Sequence, residues 1–264
     1  MKLTNRNYYS KKANENFLSV SQYKDFCGTL GHKGCETLAL AKITGDHQEE
    51  PSTAMLVGSY VDSYFEGTLD NFKTQNPDIF KRDGSLKSDY VQAEQIIERV
   101  KSDTKFMQYM SGKKQVIMTA KLFGTDWKIK MDSYIPNKAI VDLKIVRDIY
   151  ETFYVKDLGK INFIQNWGYD FQLAIYQKVV EENIGQKLPC FIAVADKGKT
   201  TNIEIIQITQ SELDSALIGV QYGVERIIKL KAGAIEPERC EKCDYCKRTK
   251  VIKRPILMSE LLER

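Results

Sequence analysis

Asp142 and Lys144 stand two apart in the run Ala139-Ile-Val-Asp-Leu-Lys-Ile-Val146, which is otherwise apolar. Apolar flanks on both sides are what a central strand carries. Charged groups inside such a strand are costly unless they are paired or put to use. Residues two apart on a strand point to the same face, so Asp142 and Lys144 project together. Asp132 lies in the preceding run Lys128-Ile-Lys-Met-Asp-Ser-Tyr134, and Pro136-Asn-Lys138 between the runs reads as a tight turn. A hairpin of that kind brings Asp132 beside Asp142. Two adjacent carboxylates repel, and a divalent cation removes the repulsion. Mg²⁺, or Mn²⁺ in its place, accepts one or two protein carboxylates and completes its shell with water and phosphate oxygens. The Leu143 carbonyl is a candidate further ligand. Such an ion polarises a phosphodiester and lowers the pKa of its bound water. Lys144 beside it can orient the attacking water or stabilise charge on the phosphate. A lone Asp-x-Lys is more often a plain buried ion pair, so the reading depends on what surrounds it.

Two helices are expected to supply that surrounding. Residues 53–67 carry Ala54, Val57, Val61, Tyr64 and Phe65 at helical spacing, which places Asp62 and Glu66 on one face. Gly58 lies one turn before Asp62, and its missing side chain could let that helix approach the sheet closely. Residues 163–180 read as a second helix, with Tyr169, Gln172 and Tyr176 on one face. The competing readings are a solvent-facing Asp62 and Glu66 and tyrosines that only pack.

The rest of the chain frames these pieces. Residues 18–42 are expected to run into a helix that Ser19 or Ser21 could cap, and 44–52 form a polar loop. Residues 76–88 read as irregular and 89–109 as an amphipathic helix. Residues 115–123, 127–135 and 139–146 alternate as three strands of an antiparallel meander. The pattern is poor through Gly159. Strands are expected at 188–195 and 202–208, then one long helix at 210–231 capped by Ser211. This order points to an α/β or mixed α+β layered domain with one central sheet. A single domain over 1–264 is expected: a helical part at about 1–112, a catalytic core at about 113–232 and a Cys-rich basic tail at about 233–264.

The chain has 264 residues, 42% of them hydrophobic, and a net charge of +4, too small to establish nucleic-acid binding by itself. Charge is clustered, however. Lys247, Arg248, Lys250, Lys253 and Arg254 place five cations in eight residues, read either as a solvated tail or as a phosphate-binding segment. The N-terminus lacks the apolar core of a signal peptide, and no stretch approaches a bilayer span, so a cytoplasmic protein with no membrane contact is expected. Six cysteines in such a chain argue for thiols or metal ligands rather than disulfides. Cys27 and Cys190 read as small core residues. His32 and His47 read as loop residues. There is no Ser–His–Asp or Cys–His arrangement and no Walker-type phosphate loop, which argues against helicase or ATPase activity.

Together the pieces resemble the PD-(D/E)xK nuclease superfamily. More narrowly, they resemble the RecE or exonuclease VIII-like phage and prophage nucleases, which are related to RecB-type nuclease domains. The matching pieces are Gly58-Ser-Tyr-Val-Asp62, Met131-Asp132-Ser-Tyr134, Val141-Asp142-Leu-Lys144 and Gln172-x-x-x-Tyr176 preceded by Tyr169, in the family's order. The resemblance implies a restriction-endonuclease-like core, a central mixed sheet flanked by helices. It implies metal ligands at Asp132 and Asp142 and a catalytic Lys144. It implies that Gln172 and Tyr176 contact DNA or support the site, and Glu66 and Tyr169 are placed with them. The family often has His where this chain has Asp62, and a carboxylate there would favour hard ions.

The activity implied is a Mg²⁺-dependent deoxyribonuclease, an exonuclease that degrades double-stranded DNA from an end in phage-type recombination. A single-strand annealing protein as partner and a homo-oligomer are implied in the same way. Lys247, Arg248 and Lys250 would add DNA affinity. Some RecB-like nucleases tie their ends together with one N-terminal and three C-terminal cysteines. Cys35, Cys240, Cys243 and Cys246 are similar and could hold a 4Fe–4S cluster or Zn²⁺, although their spacing departs from the relatives' C-x2-C-x5-C. Reduced cysteines without metal are the alternative. Two other functions stay open: a non-catalytic DNA-binding module on a nuclease fold, and an iron–sulfur repair nuclease.

Overall fold

The computed structural model describes residues 1–252 and 254–261. Lys253 of the basic run and the tail beyond residue 261 lie outside them.

Residues 18–42 form two helices rather than one. After α1 (Lys11–Asn16), α2 (Val20–Cys27) opens where the Ser19 hydroxyl accepts the Gln22 N–H, and α3 (Glu36–Thr44) follows a loop. The break falls at Gly28, whose φ is +82° and where a Cβ would lie 2.2 Å from the His32 carbonyl oxygen. Only glycine fits such a place. Next come α4 (Thr53–Glu66), α5 (Leu69–Gln75), a single 3-10 turn at Pro77–Ile79, α6 (Ser88–Lys101) and α7 (Thr104–Tyr109). The break between α6 and α7 is set by Asp103, whose carboxylate caps α7 by accepting the Phe106 N–H at 2.9 Å.

Strands β1 (Val116–Leu122) and β2 (Thr125–Met131) form a hairpin closed by Phe123 and Gly124. Both residues have positive φ, the signature of the turn that matches strand twist. The third element of the expected meander does not simply continue it. The strand expected at 127–135 is interrupted at Asp132, and β3 (Ser133–Ile135) pairs instead with β4 (Ala139–Val146). The two hairpins therefore belong to separate ladders.

Strands β5 (Thr152–Val155) and β6 (Gly159–Asn162) form a hairpin where the sequence pattern was poor. At four residues per strand they are too short to establish a period. The helix expected at 163–180 is α8 (Phe163–Trp167) and α9 (Tyr169–Ile184), separated by Gly168 at φ +62°. After β7 (Cys190–Asp196) and β8 (Ile203–Ile208), the expected long helix is also two, α10 (Gln210–Ala216) and α11 (Val220–Lys231). The cap of α10 is Thr209, in a capping box with Glu212, and not Ser211. The short α12 (Asp244–Arg248) lies in the tail.

The central sheet is mixed, in the order β3-β4-β7-β8, with β4 and β7 parallel and the outer pairs antiparallel. Helices cover both of its faces. Ile140, Val146, Ile192 and Val194 pack with residues of α2, α9 and α11, while Val141, Leu143, Ala193 and Ala195 pack with residues of α4, α6 and α7. That alternation on β4 and β7 is the pattern of strands buried on both sides.

Candidate active site

Asp142 and Lys144 share strand parity with Ile140 and Val146 on β4, beneath α9. The ladder between β3 and β4 ends at Ser133 opposite Val141, so the next pair would be Asp132 and Asp142. The chain bends there instead, and Asp132 Oδ2 accepts the Leu143 N–H at 3.1 Å. Asp62 and Glu66 come from α4. A cleft of about 590 Å³ is lined by Asp62, Glu66, Asp132, Asp142, Lys144, Gln172 and Tyr176 together. Gly58 does not act as anticipated. A Cβ at that position would meet nothing within 4 Å, so close approach of α4 does not depend on the missing side chain.

Asp142 is only 2% exposed. Its Oδ1 accepts the Gln172 Nε2–H at 2.7 Å, and the Lys144 Nζ lies 2.5 Å from Oδ2. The ammonium contact does not have hydrogen-bond geometry, and Oδ2 is otherwise without a partner. A buried carboxylate oxygen with unused lone pairs is what a cation would take up. Burial, followed by the charges of Asp142 and Asp62, pushes Asp132 well above the usual carboxylate range. Burial also pushes Asp62 up to about 7, with Asp142 and Glu66 adding to the shift and Lys144 opposing it. Burial acts to lower Lys144, but the carboxylates of Asp142 and Asp132 outweigh it and hold the ammonium above the ordinary lysine range. The carboxylates are thus held in a buried cleft where ionisation is costly, and their oxygen donors fit a hard divalent ion such as Mg²⁺ or Mn²⁺.

The aromatic residues of α9 frame the lysine. Lys144 Nζ sits 4.8 Å from the Tyr169 ring centroid, and the Tyr176 hydroxyl donates to the Lys130 carbonyl at 3.1 Å. Several cleft residues escaped the sequence reading. Lys24 of α2 lines it, donates to the Trp167 carbonyl at 3.0 Å and is lowered to about 8 by burial and then by Lys144. Nothing local in α2 signals this. Lys128 and Lys130 also line it, and here a signal existed, because they share strand parity with Asp132. Gln115 donates to Glu66.

A second cluster lies elsewhere. Cys35 precedes α3, and Cys240, Cys243 and Cys246 surround the start of α12; their sulfurs all lie within 4.8 Å of one another. The backbone N–H groups of Cys243 and Cys246 point at the Sγ atoms of Cys240 and Cys243, at 3.3 and 3.4 Å. Burial acts to raise the Cys240 thiol, but hydrogen bonds from the Cys243 and Lys242 backbone outweigh it and bring it down to about 6. Burial pushes Cys243 up to about 12. Four thiols around one point make a donor set compatible with Zn²⁺. Cys190 is buried, as expected, whereas Cys27 is exposed at the end of α2, where the helix stops at Gly28.

Lys247, Arg248 and Lys250 do not line the carboxylate cleft. They stand beside the thiol cluster, near Asp244, His47 and Glu241 respectively. His32 is exposed and stacks on Trp167 at 4.3 Å between ring centroids. Among the described residues no helix is long and apolar enough to cross a membrane.

Comparison with known proteins agrees with this geometry. A family model, "PDDEXK-like domain of unknown function (DUF3799)", matches residues 19–249. A crystal structure from Eubacterium rectale, of a protein provisionally named an exonuclease, is 53% identical over 99% of this chain and 98% of that one, with a TM-score of 0.97. A second solved structure, SSO0001, is 15% identical over 76% of this chain and 85% of that one; its TM-score of 0.31 is too low to bear on the argument. No curated protein matches.

Proposed function

Because this chain belongs to the family of PDDEXK-like domains, we propose that it is a divalent-metal-dependent deoxyribonuclease acting on the ends of double-stranded DNA. The observation that carries the reading is the meeting of Asp62, Asp132, Asp142 and Lys144 in one cleft, with a buried Asp142 carboxylate oxygen that has the Lys144 ammonium beside it and no hydrogen-bond donor. The provisional name of the Eubacterium rectale relative supports exonuclease over endonuclease action.

Asp132 and Asp142, with Asp62 and the Leu143 carbonyl, would hold Mg²⁺ or Mn²⁺. The bound ion would polarise the phosphodiester and acidify its water. Lys144 stays an ammonium beside these carboxylates, so its part is to donate: it orients the attacking water and stabilises charge on the phosphate oxygens. Gln172 fixes the Asp142 rotamer through Oδ1, which turns Oδ2 toward Lys144 and the place a metal ion would take. Tyr169 and Tyr176 keep Lys144 and the Lys130 strand in place. Lys247, Arg248 and Lys250 add sequence-independent affinity, since the surface ion pairs of the two lysines and the Arg248–His47 hydrogen bond are worth little and exchange readily for phosphates.

The thiol cluster would tie the tail to α3 through one metal ion. A tetrahedral zinc site with bonds of about 2.3 Å sets its sulfurs roughly 3.8 Å apart. Cys35 and Cys246 are 3.5 Å apart, and the Cys240–Cys246 and Cys243–Cys35 pairs are each 3.9 Å apart. A 4Fe–4S cluster binds each thiolate to a separate iron and needs wider spacing. We place the protein in the cytoplasm, as one domain, in phage-type recombination, with an annealing protein and a homo-oligomer as its expected company. Incubation of end-labelled linear and closed circular DNA with Mg²⁺ or Mn²⁺ tests the reading. Linear DNA should be degraded and circles spared; intact linear DNA at every metal concentration would leave a non-catalytic binding module instead.

A further inference from the structure

Tyr8 and Tyr9 precede α1 and both line the carboxylate cleft, yet they differ sharply in exposure, 6% against 69%. Tyr8 is anchored. Its hydroxyl donates to the Lys128 carbonyl at 3.4 Å, and its own carbonyl accepts from the Lys128 ammonium. That ammonium is fully buried and also donates to Asn14 Oδ1 at 2.7 Å. Tyr9 is set on this anchor. The two rings meet edge to face at 4.9 Å, and the Tyr9 carbonyl accepts from Asn14 Nδ2 at 3.3 Å. Ser10, the next residue, caps α1.

The cation beside Tyr9 belongs to the catalytic strand. Lys130 Nζ lies 4.9 Å from the Tyr9 ring centroid, and Lys130 stands two residues before Asp132 on β2. Its charge reaches Asp62 and Glu66, whose carboxyls it helps to hold down. Of the large exposed aromatic side chains among the described residues (Tyr9, Tyr150, Tyr154, Trp167 and Tyr222), Tyr9 is the one that lines this cleft. An exposed aromatic ring costs little side-chain entropy to immobilise when its backbone is already fixed. A planar ring with an adjoining ammonium suits a ligand that joins a π-face to an anion, and a nucleotide is such a ligand.

We propose that Tyr9 is a stacking platform for a nucleobase of the DNA strand entering the cleft, with Lys130 meeting a phosphate of that strand. This rests on the nuclease reading and adds to it the place where an unpaired base lies. Stacking of this kind tolerates any sequence, because every base has a π-face.

The test uses the full chain with Ca²⁺ in place of Mg²⁺ to hold cleavage back, and short DNA carrying 2-aminopurine at its terminal positions. Wild-type protein should quench the fluorescence of one terminal position. Tyr9→Ala should lose the quench and bind about tenfold more weakly, from the usual worth of one stacked base. Tyr9→Phe and Tyr9→Trp should both keep the quench, since a ring and not a hydroxyl is required. Mn²⁺ binding by calorimetry should be the same in Tyr9→Ala as in wild type, which separates a lost platform from a collapsed cleft. Wild-type quench and affinity in Tyr9→Ala overturn the proposal while leaving the nuclease reading in place, as does a Tyr9→Phe variant as weak as Tyr9→Ala. Wild-type protein that neither binds DNA nor degrades it with Mg²⁺ overturns both.

Discussion

Replacing Asp62 with Asn should make the metal-free protein more stable, even though the residue lies in the candidate active site. Asp62 is crowded by burial, Asp142 and Glu66, and its carboxyl is raised from 3.8 to about 7. One pKa unit corresponds to about 1.4 kcal/mol, so keeping Asp62 ionised in the folded state costs at most about 4 kcal/mol. Sharing of protons with Asp132 reduces the recoverable part, and about 2 kcal/mol is the expected gain from removing the charge. The sign follows from linkage. Below about pH 4 the carboxyl is neutral in both folded and unfolded chains, and the substitution gains nothing. Between there and about pH 7 the unfolded chain ionises and the folded one resists, so the advantage of the variant grows. Above that it is constant. With chelator at pH 8, Asp62→Asn should melt roughly 4–8 °C higher than wild type by calorimetry, given about 2–4 °C per kcal/mol for a chain near this size. Mg²⁺ should then raise the wild-type melting temperature more than that of the variant. A variant no more stable than wild type at pH 8, or a gain independent of pH, would refute the view that the carboxylates strain one another in the absence of metal.

Lys144→Ala should reduce single-turnover cleavage by about 10²–10⁴-fold while DNA affinity by fluorescence anisotropy stays within a few-fold; wild-type turnover would make the lysine structural. Replacing Lys247, Arg248 and Lys250 together by Ala should flatten the log–log salt dependence of DNA binding by up to about 2.7, at about 0.9 per phosphate. An unchanged slope returns that segment to a solvated tail. Metal analysis of anaerobically purified protein should find close to one zinc per chain, lost together with several degrees of melting temperature in Cys240→Ser. A brown protein with a broad visible band and stoichiometric iron would reverse the choice of zinc.

Long, strongly patterned elements were legible in the sequence, and short or broken ones were not. α4, β4 and β7 stand close to where periodicity places them, because each buries a regular set of apolar residues: Val57 and Val61 on α4, and both faces of β4 and β7. The errors cluster at helix breaks. The apolar spacing across Gly168 and Gly219 continues well enough to suggest one helix, but each glycine takes positive φ and turns the chain. The pattern records which side chains are buried, and a chain that bends around the same core keeps burying them. The thiol cluster was legible for its C-terminal members from spacing alone. Cys35, 205 positions before Cys240, was joined to them only through the family resemblance, because no local rule supplies a contact at that separation.

Asp132 shows why the site was more legible than the sheet that carries it. Read as one uninterrupted strand, residues 127–135 give the correct neighbours: Asp132 falls opposite Asp142 by register, on the same face, with Lys128 and Lys130 on its own side. What that reading misses is that the ladder stops one pair short, at Ser133 and Val141. Pairing Asp132 in a regular ladder would set two buried carboxylates directly opposite each other, and like charges in that relation are destabilising. The bend lets Asp132 Oδ2 satisfy the Leu143 N–H with a side chain in place of a backbone carbonyl. The strand end is thereby closed and the carboxylate is pinned beside Asp142 without being forced against it. The interruption that breaks the meander is thus the same feature that fixes the Asp132 carboxylate in the cleft.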